Sequence, residues 1–339
     1  MNINKEEIIH LFEKFNTSKV LVIGDVMIDS YLIGKVDRIS PEAPVPVVVL
    51  KKRDNMLGGA ANVALNIKSL GAEAFLCSII GTDKQGDELL NLMEKSGLKS
   101  DGIVRSSERI TTTKFRIIGN RVQMLRVDEE MDTDINELEV KQLLDRISEL
   151  ISVQKPDVII LQDYNKGVLT LDVITKVAEI AKIKGIPVAV DPKKKNFSSY
   201  KNITLFKPNL KEISEGLKID VEATSVESLQ RAAEIIHTKQ DIEQVMITLS
   251  EHGVFMSSRG TTGINSKVIP AVLRSIADVS GAGDTVISVV ALCMAQKNDP
   301  ILTATLSNLA GGLVCEHPGV VAIDKDELFK EAVKEFESR

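Results

Sequence analysis

The runs Val158-Ile-Ile-Leu161, Leu171-Asp-Val-Ile-Thr-Lys-Val-Ala-Glu-Ile-Ala-Lys-Ile-Lys184 and Val188-Ala-Val190 follow one another along the chain. The first and third are short, apolar and β-branched, the composition of a strand buried on both faces. The middle run repeats apolar residues at helical spacing. Strand, helix and strand in that order predict two parallel strands joined by a crossover helix. The pattern extends outward: Val20 to Ile23 and Val245 to Thr248 read as further buried strands, and Ser225 to His237 as another helix. The fold class is therefore α/β, a mostly parallel sheet covered by helices on both faces.

Two regions break the rhythm. Pro44 to Leu50 reads as a strand, and Thr112 to Ile118 and Val122 to Val127, with Gly119 and Asn120 between them, read as a hairpin. Strands without crossover helices suggest a small sheet standing off the main one as a lid; spacing alone also allows them to extend the main sheet. No internal repeat, low-complexity tract or interdomain linker is present.

Composition narrows the function classes. The 339 residues carry a net charge of −6 with acids and bases interspersed, so no basic surface for nucleic acid is expected. Cys77, Cys293 and Cys315 lie in apolar stretches without metal-ligand spacing and read as buried thiols. The start, MNINKEEIIHLFEKF, is amphipathic and charged rather than a signal sequence, and Val286 to Ala295 is too short to span a bilayer. A cytoplasmic enzyme acting on a small substrate is the expectation, without membrane partners.

Asp278-Val-Ser-Gly-Ala-Gly-Asp284-Thr-Val carries the chemistry. Glycines at a helix start leave backbone N–H groups bare, and with the positive helix end they make a site for an anion. A carboxylate placed there is repelled by phosphate unless it has a task, and taking a proton from an attacking hydroxyl is such a task. An early-helix acid that complements the macrodipole is the other reading of Asp284.

DVSGAGDT resembles the C-terminal signature of the ribokinase-like (PfkB) kinases, in which the Asp of GAGD is the base. Leu57-Gly-Gly-Ala-Ala-Asn62-Val-Ala resembles their N-terminal glycine motif, and Ile23-Gly-Asp-Val-Met-Ile-Asp29 the end of their first strand. The resemblance runs from Val20 to about Ile323. It implies a three-layer, doubly wound, mostly parallel sheet with a β-sheet lid, one kinase domain over residues 1–339, and lid strands inserted at about 32–52 and 110–128. It implies Asp284 as base, with the amides of Gly281, Ala282 and Gly283 facing the transferred phosphoryl group. Asp29, Gly58, Gly59 and Asn62 are then expected at the sugar, with Asp25 a less favoured contact.

Lys207-Pro-Asn209-Leu-Lys-Glu212 resembles the family's NxxE element, which implies Asn209 and Glu212 near nucleotide phosphates and magnesium, Glu212 acting through water. The same residues also spell a helix-capping pair. Lys193, Thr248, Ser250, Gly253 and Asn308 match nucleotide-side positions, although Gly253 also fits a simple turn and Lys193 a solvated charge. ATP and magnesium are the implied cofactors, with a monovalent cation such as potassium beside Asp278.

The run Asp37-Arg-Ile-Ser-Pro-Glu-Ala-Pro-Val-Pro-Val resembles that of D-glycero-β-D-manno-heptose-7-phosphate kinases. So do Thr111-Thr-Thr-Lys-Phe-Arg, Arg126-Val-Asp128 and Asp163-Tyr-Asn-Lys166-Gly. A sugar phosphate needs fixed positive charge, for which Arg38, Lys114, Arg116, Arg121, Arg126 and Lys166 are candidates; Arg116 and Lys166 are expected at the substrate, with Asp163 at a sugar hydroxyl. The implied reaction makes heptose 1,7-bisphosphate on the route to lipopolysaccharide precursors, in a homodimer joined through lid sheets. No HxGH motif follows, so no nucleotidyltransferase domain is expected. Kinases of fructose 6-phosphate, tagatose 6-phosphate, ribose or a nucleoside, and a non-catalytic sugar-binding regulator, are the alternatives. A dinucleotide oxidoreductase lacks GxGxxG after the first strand.

Overall fold

The structure, a computed structural model, describes residues 4–261 and 263–337, so Met1 to Ile3 of the amphipathic start lie outside the described residues. The chain runs α1 (Lys5–Phe15), β1 (Lys19–Gly24), β2 (Val26–Ile39), β3 (Pro46–Gly59), α2 (Ala60–Ser69), β4 (Glu73–Gly81), α3 (Lys84–Lys95), β5 (Ile103–Ser106), β6 (Thr113–Gly119), β7 (Val122–Glu129), α4 (Glu137–Gln154), β8 (Val158–Gln162), α5 (Leu171–Lys184), β9 (Val188–Asp191), β10 (Leu205–Phe206), α6 (Leu210–Leu217), α7 (Val226–Gln240), β11 (Gln244–Thr248), β12 (Val254–Gly260), β13 (Gly263–Ile269), α8 (Ala282–Ala295), α9 (Pro300–Val314) and α10 (Lys325–Glu337).

Nine strands form one sheet in the order β13-β12-β11-β10-β9-β8-β1-β4-β5. It is parallel from β11 to β5, and β12 and β13 close one edge antiparallel. Strand residues alternate between two apolar layers. Val20, Val22, Val158 and Ile160 pack under α1, α2, α8, α9 and α10, whereas Leu21, Ile23, Ile159 and Leu161 pack under α4, α5, α6 and α7. Both faces are covered, so the central strands are continuous apolar runs rather than alternating ones. The order reverses between β1 and β8, and the crevice at their carboxyl ends is where such sheets bind ligands.

β3-β2-β6-β7 form a separate four-stranded sheet, so these strands do not extend the main one. Its first hairpin differs from the expected insertion near 32–52. β2 begins at Val26, one residue after β1, and β3 continues to Gly59. The one turn signal at the β1/β2 break is the pair Gly24-Asp25, inside a run from Val20 to Leu32 that is otherwise apolar apart from Asp29 and Ser30. Asp29 therefore lies within β2, opposite Met56, rather than at the end of the first strand. Among the described residues, no helix is long and apolar enough to cross a membrane.

Candidate active site

Asp284 stands in the first turn of α8, which starts at Gly281 in the left-handed region (φ 83°), without a side-chain cap. Glycine is suited to that φ, and it leaves the helix end open. The Asp284 side chain comes to lie over the β1/β8 crevice and is 4% exposed. Its Oδ1 accepts from the Tyr164 hydroxyl at 2.6 Å and from Gln162 Nε2 at 3.1 Å, and its Oδ2 from Asn62 Nδ2 at 2.8 Å. Burial pushes this carboxyl up to about 6, against the hydrogen bonds from Tyr164 and Asn62.

Asn62 faces α8 because α2 packs its small residues there. Asn66, one turn on, donates to the Asn62 carbonyl at 2.9 Å and accepts from Thr285 Oγ1 at 3.0 Å. The bond from Thr285, with that from Asn62 to Asp284, fixes α2 against α8.

On the other side of Asp284 lies a buried charge cluster. Lys207 Nζ is 3.0 Å from Asp191 Oδ1, and Gln162 Nε2 is 3.1 Å from Asp191 Oδ2, so Gln162 bridges the two aspartates. Lys193 pairs with Glu212. Burial alone would lower the Lys193 ammonium, but Asp191 and Glu212 hold it above its ordinary value. A Cβ at Gly283 would stand 3.8 Å from both Asp191 Oδ2 and Lys207 Nζ, so the start of α8 faces this cluster. Asn209 caps α6 reciprocally with Glu212: its Oδ1 accepts from the Glu212 amide at 2.9 Å, and its own amide donates to Glu212 Oε2 at 2.8 Å. Thr248 bridges to Asn209 at the end of β11.

The third wall comes from the small sheet. Asp29, in β2, pairs with Arg116 of β6, whose guanidinium lies 5.3 Å from the Tyr31 ring centroid. A Cβ at Gly58 would stand 2.3 Å from Asp29 Oδ2, so the end of β3 lies directly against that carboxylate. Lys114 Nζ, half-buried, lies 5.7 Å from the Tyr164 ring centroid and forms no ion pair among the described residues.

The other expected site residues make these contacts within the chain. Asp163, expected at the sugar, is buried, and its carboxylate accepts from the Asn165 amide at 2.7 Å, Asn196 Nδ2 at 3.1 Å and the Tyr200 hydroxyl at 2.7 Å; it braces the loop after β8. Arg116 is committed to Asp29, and Lys166 to Glu130 at 2.8 Å, so neither stands as a free cation. The Ala282 amide turns back to the Val279 carbonyl at 3.3 Å, unlike the open donor expected of it. Gly253, at φ 91°, follows the short turn containing Ser250; a Cβ there would stand 2.1 Å from the Ile269 carbonyl oxygen, which is a chain-packing reason for glycine. Asn308 donates to the Pro270 carbonyl at 2.9 Å. Asp278 accepts from the Ser280 and Gly319 amides at 2.9 and 3.0 Å.

Gln162, Tyr164 and Lys207 also contribute to the site, although no motif assigned any of them a role, and Asp191 belongs to the Asp191-Pro-Lys193 run expected on the nucleotide side. The available signal was position: Gln162 and Asp191 end buried parallel strands, Lys207 directly follows one, and Tyr164 stands two residues beyond β8. Among the described residues, no group of three or more His, Cys, Asp or Glu side chains is arranged to hold a metal ion by itself.

Comparison with known proteins bears on the family and the fold. The chain is 39% identical over 324 residues to the bifunctional protein HldE of Desulfatibacillum aliphaticivorans, and 38% identical over 327 residues to that of Pelobacter propionicus. The alignments cover 95% and 96% of this chain but 65% of either relative, so the chain spans about two thirds of their length. In structure it resembles Escherichia coli phosphofructokinase-2 in complex with potassium, with a TM-score of 0.74 and 20% identity, covering 95% of this chain and 99% of that one. It also resembles Arabidopsis thaliana ribokinase complexed with ribose and ATP, with a TM-score of 0.71 and 16% identity, covering 94% and 99%. Those two likenesses establish the ribokinase-like fold. The pfkB family carbohydrate kinase profile matches residues 17–326, nearly the whole chain, and with it the chain belongs to the pfkB family, phosphotransferases that act on sugar hydroxyls.

Proposed function

We propose that the chain transfers the γ-phosphoryl group of ATP to the anomeric hydroxyl of D-glycero-β-D-manno-heptose 7-phosphate, giving the 1,7-bisphosphate for nucleotide-activated heptose. The observation that carries the kinase chemistry is Asp284: a buried carboxylate with a pKa of about 6, at the open start of a helix that faces a cluster of lysines. At pH 7 it is mostly ionised yet poised to accept a proton. It takes the proton of the sugar hydroxyl as that oxygen bonds to phosphorus and ADP leaves. The amides at Gly281 and Gly283 and the positive end of α8 stabilise charge on the phosphoryl oxygens.

Asp29, Gly58, Gly59 and Asn62 orient the sugar. The heptose phosphate assignment rests on the lid and loop sequences resembling heptose-7-phosphate kinases. It is supported by Lys114, a half-buried cation of the small sheet that lacks an ion-pair partner among the described residues. Lys193 and Lys207 are suited to nucleotide phosphates, flanked by Asn209, Thr248 and Ser250. The donor set fits magnesium carried with those phosphates: Asp191 and Glu212 offer hard carboxylate oxygens within the charge cluster, and magnesium when bound neutralises phosphate charge. Asp278 stays ionised, because the Ser280 and Gly319 amides outweigh the effect of burial, and it supplies the negative charge for a monovalent cation at that loop. Exposed Val122, Leu125 and Val127 on β7 and Leu50 on β3 give the small sheet an apolar surface suited to a second copy, making a homodimer.

The test is ADP release with magnesium and ATP, using heptose 7-phosphate, fructose 6-phosphate, ribose and adenosine in turn. Rapid release with the heptose alone is expected, together with a loss of at least about 10³ in Asp284→Asn that leaves ATP binding intact. Release with another sugar overturns the substrate. Undiminished turnover in Asp284→Asn overturns the base.

A further inference from the structure

A carboxylate offers about four acceptor directions, two on each oxygen. On Asp284 these directions are unevenly used. Oδ1 accepts from both Tyr164 and Gln162, whereas Oδ2 accepts from Asn62 alone among the described residues. Oδ1 is thus saturated, and Oδ2 keeps one direction open.

The Tyr164 bond is the strongest of the three. At 2.6 Å it has the length of a hydroxyl donating to an ionised oxygen. Tyr164 is itself held from several sides. Its amide donates to Asp25 Oδ2 at 2.8 Å, and Lys114 and Lys193 stand 5.7 and 5.5 Å from its ring centroid. Nearby cations acting on the ring make the phenol a better donor. Burial, with the charges of Asp284 and Asp191 beside it, raises the Tyr164 hydroxyl well above its ordinary pKa, so it keeps its proton and acts only as a donor.

We propose that Tyr164 is a positioning residue for the base: its hydroxyl, together with Gln162, pins Oδ1 of Asp284 and leaves Oδ2 as the oxygen that meets the sugar hydroxyl. The proposal rests on the reading of Asp284 as the base, but it concerns a residue outside the motifs that suggested that reading. It also links two sides of the site, because the tyrosine that orients the carboxylate carries one lysine from the small sheet and one from the charge cluster.

The test reads the carboxyl directly and needs no substrate. Protein carrying carboxyl-¹³C aspartate is titrated by NMR, and the Asp284 resonance is identified by its loss in Asp284→Asn. Removing a donor to the ionised form makes ionisation harder, so Tyr164→Phe is expected to move the Asp284 midpoint up by about one pH unit. A fluorinated tyrosine at position 164, which keeps the shape and strengthens the donor, is expected to move it down. That second variant keeps the test decisive should the phenylalanine variant fold poorly. An Asp284 midpoint that neither variant moves overturns the positioning role. Turnover retained in Asp284→Asn overturns the base reading, and the NMR titration stands apart from that result.

Discussion

Asn62 Nδ2 and Asp284 Oδ2, separated by 222 positions in the chain, are hydrogen-bonded at 2.8 Å across the α2/α8 interface. This bond aligns the oxygen that has acceptor capacity to spare. Asn62→Ala removes the donor to Oδ2, so the carboxylate is held through Oδ1 alone. Turnover is expected to fall about 10- to 100-fold, while KM for ATP stays within about twofold. Steady-state kinetics on both substrates check it.

Activity and stability should run in opposite directions below neutrality. Asp284 and Asp25 are both pushed up to about 6, chiefly by burial, whereas either unfolded carboxyl titrates at 3.8. Between about pH 4 and 6 the folded chain therefore holds protons that the unfolded chain has released, so stability grows as pH falls from about 7 to about 4. Each group contributes at most about 3 kcal/mol to that change. Asp83 and Asp278, both lowered, act the other way only below about pH 4. The base, by contrast, must be ionised. Thermal melts are expected to peak near pH 4, and kcat/KM to fall about tenfold per pH unit below 6.

Gly58→Ala places a methyl group where Asp29 Oδ2 now stands, 2.3 Å from the new Cβ. The carboxylate must move, and its pairing with Arg116 moves with it. KM for the sugar is expected to rise at least about tenfold with KM for ATP unchanged, which initial-rate measurements would show.

Asp163→Ala leaves the Tyr200 hydroxyl, Asn196 Nδ2 and the Asn165 amide without their shared acceptor in a buried place. A loss of about 3 kcal/mol is expected. Denaturant titration should show it, with KM for the sugar little changed in the protein that remains folded. A large rise in that KM would return Asp163 to the sugar.

The main sheet was legible because strands buried on both faces are apolar from end to end, as Val158 to Leu161 shows, and because α5 carries a clear helical period. The first hairpin was less so. β2 follows β1 with only Asp25 between them, and the side chain that makes the break possible, a carboxylate accepting from three backbone amides of residues 164–168, is a long-range contact. Asp284 announced itself by standing among glycines at a helix start. Tyr164 and Gln162 did not, because an aromatic or an amide after a strand has many ordinary uses, and only the fold brings both to one oxygen. At Asp163 the sequence showed a carboxylate after a buried strand but not its partners within the chain, Asn165, Asn196 and Tyr200, which only the fold brings to it.

Asp25 also settles how the small sheet can deform. Its amide donates to the Gln162 carbonyl at 3.2 Å, its carbonyl accepts from the Ala60 amide at 2.9 Å, and its side chain holds the loop after β8. The start of β2 and the end of β3 are thus fastened to the main sheet at one residue. A ribbon clamped at its root behaves as a cantilever: its displacement accumulates toward the free end, and no single joint swings. The two register shifts between β2 and β3, at Ile33/Gly34 and Val36/Arg38, are the compliant points along it. Beyond them the far end of the hairpin has the longest travel, while Asp29 and Gly58, near the root, keep their geometry.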